Sequence, residues 1–104
     1  MSNSPADTPK PARLSIELSA DLDATYANLT LISHSASEII LDFARVLPNI
    51  PKAKVHARII MTPINAKLLH QALGENLKKF EAKYGEIQTP AQNIIIDKDK
   101  GFQR

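Results

Sequence analysis

The sequence predicts an α+β fold: an antiparallel β-meander of three to four strands followed by one long C-terminal amphipathic helix packed on one sheet face. Three observations carry this. Between Arg13 and Met61 apolar residues recur mostly at period two, the period of a strand with one buried face. From Thr62 the period lengthens, and Ala66, Leu69, Leu73, Leu77, Phe80 and Tyr84 follow at spacings of three and four, which makes an apolar stripe along one side of a helix. A chain of 104 residues is sized for one domain, since two cores would each be too small to stand without help.

Residues 1–11 contain Pro5, Pro9 and Pro11 and no apolar period, so they cannot bury enough surface to offset ordering entropy and read as a flexible arm. Residues 12–87 form the predicted domain. Its first segment, Arg13 to Leu18, alternates Leu14, Ile16 and Leu18 with polar neighbours, a modest strand signal. Asp21-Leu22-Asp23 reads as a turn. Thr25 to Ser33 is rich in β-formers, and the small polar cluster Ser33 to Ser37 suits a hairpin loop. Glu38 to Leu47 resumes the strand pattern until Pro48-Asn49-Ile50-Pro51 removes two backbone donors. Lys52 to Met61 is the clearest strand, with Ala53, Val55, Ala57, Ile59 and Met61 alternating against Lys52, Lys54, His56, Arg58 and Ile60.

Parity restricts how the last two strands pair, because a slip of one residue turns every side chain to the other face. Opposed residue numbers summing to about 100 set Leu47 against Ala53 across the loop Pro48–Lys52, Ile40 against Ile60 and Asp42 against Arg58, with His56 beside Ala44. A sum of 98 sets Asp42 against His56 instead. Either register opposes an acid to a base.

Thr62 is a good N-cap, and Pro63 stands at the first helical position, where its missing N–H costs nothing. Lys78, Lys79 and Lys83 crowd the last turns, where the helix dipole favours cations, and Gly85 supplies a left-handed stop. Gly74, inside the helix, costs about 1 kcal/mol relative to Ala and suggests close backbone approach. Residues 88–104 read as a tail in which Asn93 to Asp97, with its isoleucine triplet, is a candidate added strand.

Composition excludes several functions. With no cysteine there are no disulfides, thiolate metal sites or thiolate catalysis. Apolar runs such as Ile94-Ile95-Ile96 are far short of a membrane span, and the first residues have no apolar signal region, so no membrane association and a cytoplasmic location are expected. A net charge of +2 is too small to indicate nucleic acid by itself.

Candidate chemistry is sparse. Ser33-His34-Ser35 with Asp42 resembles the parts list of a hydrolase, but no strained Gly-x-Ser-x-Gly elbow is present and almost no glycine to shape an oxyanion hole. A hairpin explains the same residues, so no catalytic residue is assigned and the protein is expected not to be an enzyme. His34, His56 and His70 lack paired metal-ligand spacing, and Gly74, Gly85 and Gly101 are too scattered to cradle phosphate, so no metal or cofactor is expected. Lys52, Lys54 and Arg58, with His56 between, form a basic row and are candidate anion-binding residues for an RNA partner. Asp42 and Glu38 offset that row, and stacking aromatics are missing from it.

The informative anomaly lies on the even-numbered face, which carries Tyr26, Ile32, Ile40, Val46 and Ile60. One helix covers one face of a sheet, so these five are candidate interface residues for a second copy of the chain or another protein. A twofold homodimer is the commonest outcome.

An ordered set of short motifs resembles a small prokaryotic family catalogued as a domain of unknown function. They are Tyr26-Ala27-Asn28, His34-Ser35-Ala36-Ser37-Glu38, Leu41-Asp42-Phe43, Pro48, Lys52-Ala53-Lys54-Val55, Arg58-Ile59-Ile60, Thr62-Pro63, Ala66-Lys67, Leu73, Asn76 and Tyr84-Gly85-Glu86-Ile87. The resemblance spans about residues 14–87 and implies a β-meander with one long C-terminal helix in a soluble intracellular protein, with no established activity. A weaker, fold-level similarity is to SecB-like export chaperones, which pair a meander with a long helix and assemble as dimers and tetramers. No motif of that family matches here. The function expected is therefore a non-enzymatic, oligomeric protein-binding or scaffold module, with an RNA- or ribosome-associated factor and a SecB-like chaperone as alternatives.

Overall fold

The structure is a computed structural model that describes residues 11–91 and 95–97. Strands β1 (Leu29–His34), β2 (Ile39–Arg45) and β3 (Lys54–Met61) form one antiparallel open sheet in the order β1-β2-β3, and helix α1 (Pro63–Tyr84) follows. The α+β arrangement of a three-stranded meander and one C-terminal helix is thus the fold.

Each junction has a local cause. Ser35 donates its backbone N–H to the Glu38 carbonyl at 3.0 Å, and its hydroxyl accepts from the Ser37 N–H at 3.3 Å. That tight hairpin joins His34 to Ile39 and sets the β1–β2 register. Between β2 and β3, Ile50 N–H donates to the Leu47 carbonyl across Pro48 and Asn49, and Asn49 has φ +63°. Proline second and a left-handed asparagine third are what a type II turn requires. At the open end of β1 the Asn28 side chain extends the ladder as a substitute peptide group. Its Oδ1 accepts from Val46 N–H at 2.7 Å, and its Nδ2 donates to the Val46 carbonyl at 3.0 Å.

The sum-of-100 register holds from Ile39↔Met61 to Phe43↔Ala57, with Ile40 opposite Ile60 and Asp42 opposite Arg58. It then shifts: Ala44 pairs with Val55 and Arg45 with Lys54. The expected pairs Leu47–Ala53 and Ala44–His56 are therefore absent, and residues 46–53 form the connection. A β-bulge at His56 takes up the extra residue.

Helix α1 begins as its sequence dictates. Thr62 Oγ1 accepts from Asn65 N–H at 3.3 Å, Pro63 occupies the first turn, and Gly85 (φ +102°) ends the helix with its N–H donating to the Glu81 carbonyl at 2.9 Å. The carboxylate of Glu81 then accepts from Ile87 N–H at 2.9 Å and holds the chain just beyond the cap.

Two expectations about packing do not hold. Arg13 to Leu18 forms no strand, and Leu14, Ile16 and Leu18 are exposed; alternation alone cannot make a strand when no ladder neighbour is within reach. The helix is not packed on the sheet: none of its side chains is buried, and β1–β2 and β2–β3 are the substantial contacts between elements. The physical reason lies at Thr62, the single residue between β3 and α1, which leaves less chain than the usual two to six or so residues for folding a helix back over its own sheet. Of the predicted tail strand, Asn93 and Ile94 lie outside the described residues, and Ile95 to Asp97 belong to no regular element. The predicted arm lies outside them as well, except Pro11.

Candidate self-association surface

The register assigns side chains to two unlike faces. Because β1 pairs with β2 at an odd sum (Ile32↔Leu41, Ser33↔Ile40), the odd residues of β1 share a face with the even residues of β2. On the first face the rows across the sheet are Leu29–Ala44–Val55, Leu31–Asp42–Arg58 and Ser33–Ile40–Ile60. On the second they are Thr30–Phe43–Ala57, Ile32–Leu41–Ile59 and His34–Ile39–Met61.

The first face is buried along β2, while Ile60 at its edge is 49% exposed. Ile40 and Ala44 are each 1% exposed and Asp42 is 2% exposed. A buried carboxylate must be paired and hydrogen-bonded, and Arg58 meets that need: Nε donates to Oδ1 at 2.7 Å and Nη2 to Oδ2 at 3.0 Å. This two-pronged geometry is the strong form of the interaction. The hydrogen bonds to Asp42 raise the guanidinium above its ordinary pKa, partial desolvation opposes them, and charge attraction adds to them.

The second face has an aliphatic middle row. Leu41 is buried, while Ile32 on one edge is 65% exposed and Ile59 on the other is nearly half exposed. Helix α1 matches it in kind, since Leu69, Leu73, Leu77, Phe80 and Tyr84 are between 42% and 66% exposed. At the C-terminal end of the helix, Leu77, Phe80, Tyr84 and Ile87 line an open apolar groove with Asn76, Lys79 and Lys83. The rings of Phe80 and Tyr84 lie 4.9 Å apart, with Lys83 over Tyr84.

The five candidate interface residues are not brought together. Ile32 is on the opposite face from Ile40 and Ile60. Ile40 is spent inside its own chain. Tyr26 lies beyond the end of β1 under the Arg45 guanidinium, 5.6 Å from the ring centre, and Val46 lies just past β2. Parity within β1 was legible; its phase relative to β2 depends on the hairpin length, which was misjudged by placing the loop at Ser33–Ser37. The helix stripe and Ile59, which the sequence pattern assigns to an internal core, are exposed instead.

The candidate anion-binding row is also broken. The bulge sets Lys54 opposite Arg45, on the other face from Arg58, and Arg58 is committed to Asp42; Lys52 lies before β3. His34 shares a face with Ile39 while Asp42 is on the opposite face, so no Ser–His–Asp arrangement forms from Ser33, His34, Ser35 and Asp42. Among the described residues no three His, Cys, Asp or Glu side chains cluster to hold a metal, and no helix is long and apolar enough to cross a membrane. The close approach expected at Gly74 is absent among the described residues, where a Cβ would meet nothing within 4 Å.

A small open antiparallel sheet with a projecting amphipathic helix defines the class of protein. The chain belongs to the family DUF3467, proteins of unknown function, whose model matches residues 1–89. No curated protein and no solved structure matches it. The SecB-like similarity is therefore not supported; it rested on a meander plus a helix, a combination that many unrelated folds share.

Proposed function

We propose that this protein is a non-enzymatic, self-associating module whose working form is a homo-oligomer, a scaffold for binding protein rather than for turning over a small molecule. One observation carries the proposal: α1 has 22 residues and no buried side chain, yet bears a continuous apolar stripe. Helices of this length owe most of their stability in proteins to packing an apolar face. Contiguous exposed apolar surface of this extent marks an interaction site. The second sheet face adds a further unfilled surface. The RNA alternative draws less support, because the basic residues it needs are divided between two faces and Arg58 is engaged by Asp42.

Sedimentation equilibrium of the full chain at tens of micromolar tests this. A mass of two chains or more is expected, and Leu73→Asp is expected to reduce it to one chain by placing a charge in the stripe. A wild-type chain that sediments as a clean monomer would overturn the proposal.

A further inference from the structure

We infer that two copies of this chain pair by exchanging helices, each α1 lying on the Ile32–Leu41–Ile59 face of the other copy's sheet. This rests on the self-association proposed above and adds where the second copy sits.

An amphipathic helix and an apolar sheet face are the two halves of one layered core. This chain contains both, and both are unfilled. The single-residue junction at Thr62 leaves the helix standing off its own sheet, so one copy cannot complete its own layer. Two copies can, each lending its helix to the other in a closed twofold arrangement, the geometry of an exchanged dimer.

The two surfaces also match in size. From Ala66 to Tyr84 the stripe runs about 27 Å at 1.5 Å per residue, and β3, with eight residues, spans about 23–24 Å at roughly 3.3–3.4 Å per residue. Covering the half-exposed side chains of one helix and one sheet face hides on the order of 600–1,000 Å². The closed pair contains two such contacts, which together fall within the roughly 1,200–2,000 Å² of a stable specific interface.

The alternatives fit less well. Pairing α1 with α1 would leave both aliphatic sheet faces in water. The other face of the sheet is a poor seat for an apolar helix, because the Asp42–Arg58 pair lies in its middle row and a cover would strip water from that pair.

The test compares single variants and their mixture. Ile32→Asp alters the sheet face at an exposed position on β1, and Leu73→Asp alters the helix. Exchange predicts that each alone dimerises at least about 100-fold more weakly than wild type, as an unpaired buried carboxylate requires. It also predicts that the equimolar mixture regains a heterodimer, since one helix-on-sheet contact is then intact. If Ile32→Asp dimerises like wild type while Leu73→Asp does not, exchange is overturned and self-association stands. If wild type itself is monomeric, the self-association proposal fails.

A second measurement covers the case of an aspartate variant that misfolds. The chain has no cysteine, so Ile32→Cys and Leu73→Cys can be mixed as single-thiol chains and treated with a short bis-maleimide. A linked Ile32→Cys/Leu73→Cys heterodimer is expected; a dimer that yields no such link contradicts exchange.

Discussion

Strand β2 and helix α1 both carry apolar rows, and they differ in what surrounds them. In seven residues β2 buries Ile40, Leu41, Asp42 and Ala44, because a strand hydrogen-bonded on both sides is covered by its neighbours' side chains. In 22 residues α1 buries none. The contrast shows that an apolar pattern does not by itself place a surface in the chain's own core; chain connectivity decides whether the chain can cover it. The chain buries the middle strand of its sheet by itself and leaves the helix stripe uncovered.

The largest effect expected from breaking this contrast is on the β2 side. Ile40→Ala should cost about 2–5 kcal/mol in chemical denaturation, the usual range for a buried large-to-small change, whereas Leu68→Ala on the exposed helix should cost far less in the monomeric Leu73→Asp background. Next comes the ion pair. Asp42→Ala should cost about 1–3 kcal/mol, since the remaining guanidinium is a third exposed and reaches water. Arg58→Ala should cost more than Asp42→Ala, because it strands a carboxylate that is 2% exposed; equal costs would mean that Asp42 is solvated in solution.

Gly74 offers a smaller, sharper comparison. A Cβ there meets nothing in one chain, and Gly74 follows Leu73, about 100° around the helix from the stripe. Gly74→Ala should therefore stabilise the protein by about 0.5–1 kcal/mol. A loss of stability would mean that this side of α1 is closely covered in solution. The smallest effect is local. The Ser19 hydroxyl, more than its own backbone N–H, holds the Asp21 carboxyl below its ordinary pKa, with slight desolvation opposing. A lowered acid pKa stabilises the turn above the ordinary value and loses that contribution as the pH falls through the lowered one. The Leu22 amide, which donates to the Ser19 carbonyl at 3.1 Å, should report this by NMR while amides of β2 stay unchanged.

Much of this architecture was legible in the sequence, for reasons visible at particular residues. Thr62, Pro63 and Gly85 act within one turn of chain, so the helix ends could be read locally. Asp42 against Arg58 followed from parity once the strands were placed. The bulge at His56 leaves no mark in alternation, because Val55 and Ala57 are both apolar and either phase reads alike. The β1 phase turns on a four-residue hairpin, residues 35–38, where composition marks five, Ser33 to Ser37. The stand-off of the helix did have a signal, the adjacency of Met61 and Pro63 across Thr62, which leaves little room to reverse. As for the candidate site, the stripe is legible in the three- and four-residue spacing from Ala66 to Tyr84, and its exposure departs from the internal packing that this spacing suggests.

Hydrogen exchange of the α1 amides at two protein concentrations tests most directly whether the helix depends on a second copy. Dependence predicts slow exchange from Leu69 to Phe80 when the chain is concentrated, with protection falling on dilution in step with dissociation and falling further than that of β2. Helix protection that is the same at both concentrations, in a chain that sediments as a monomer, would show that α1 stands alone and would contradict the claim.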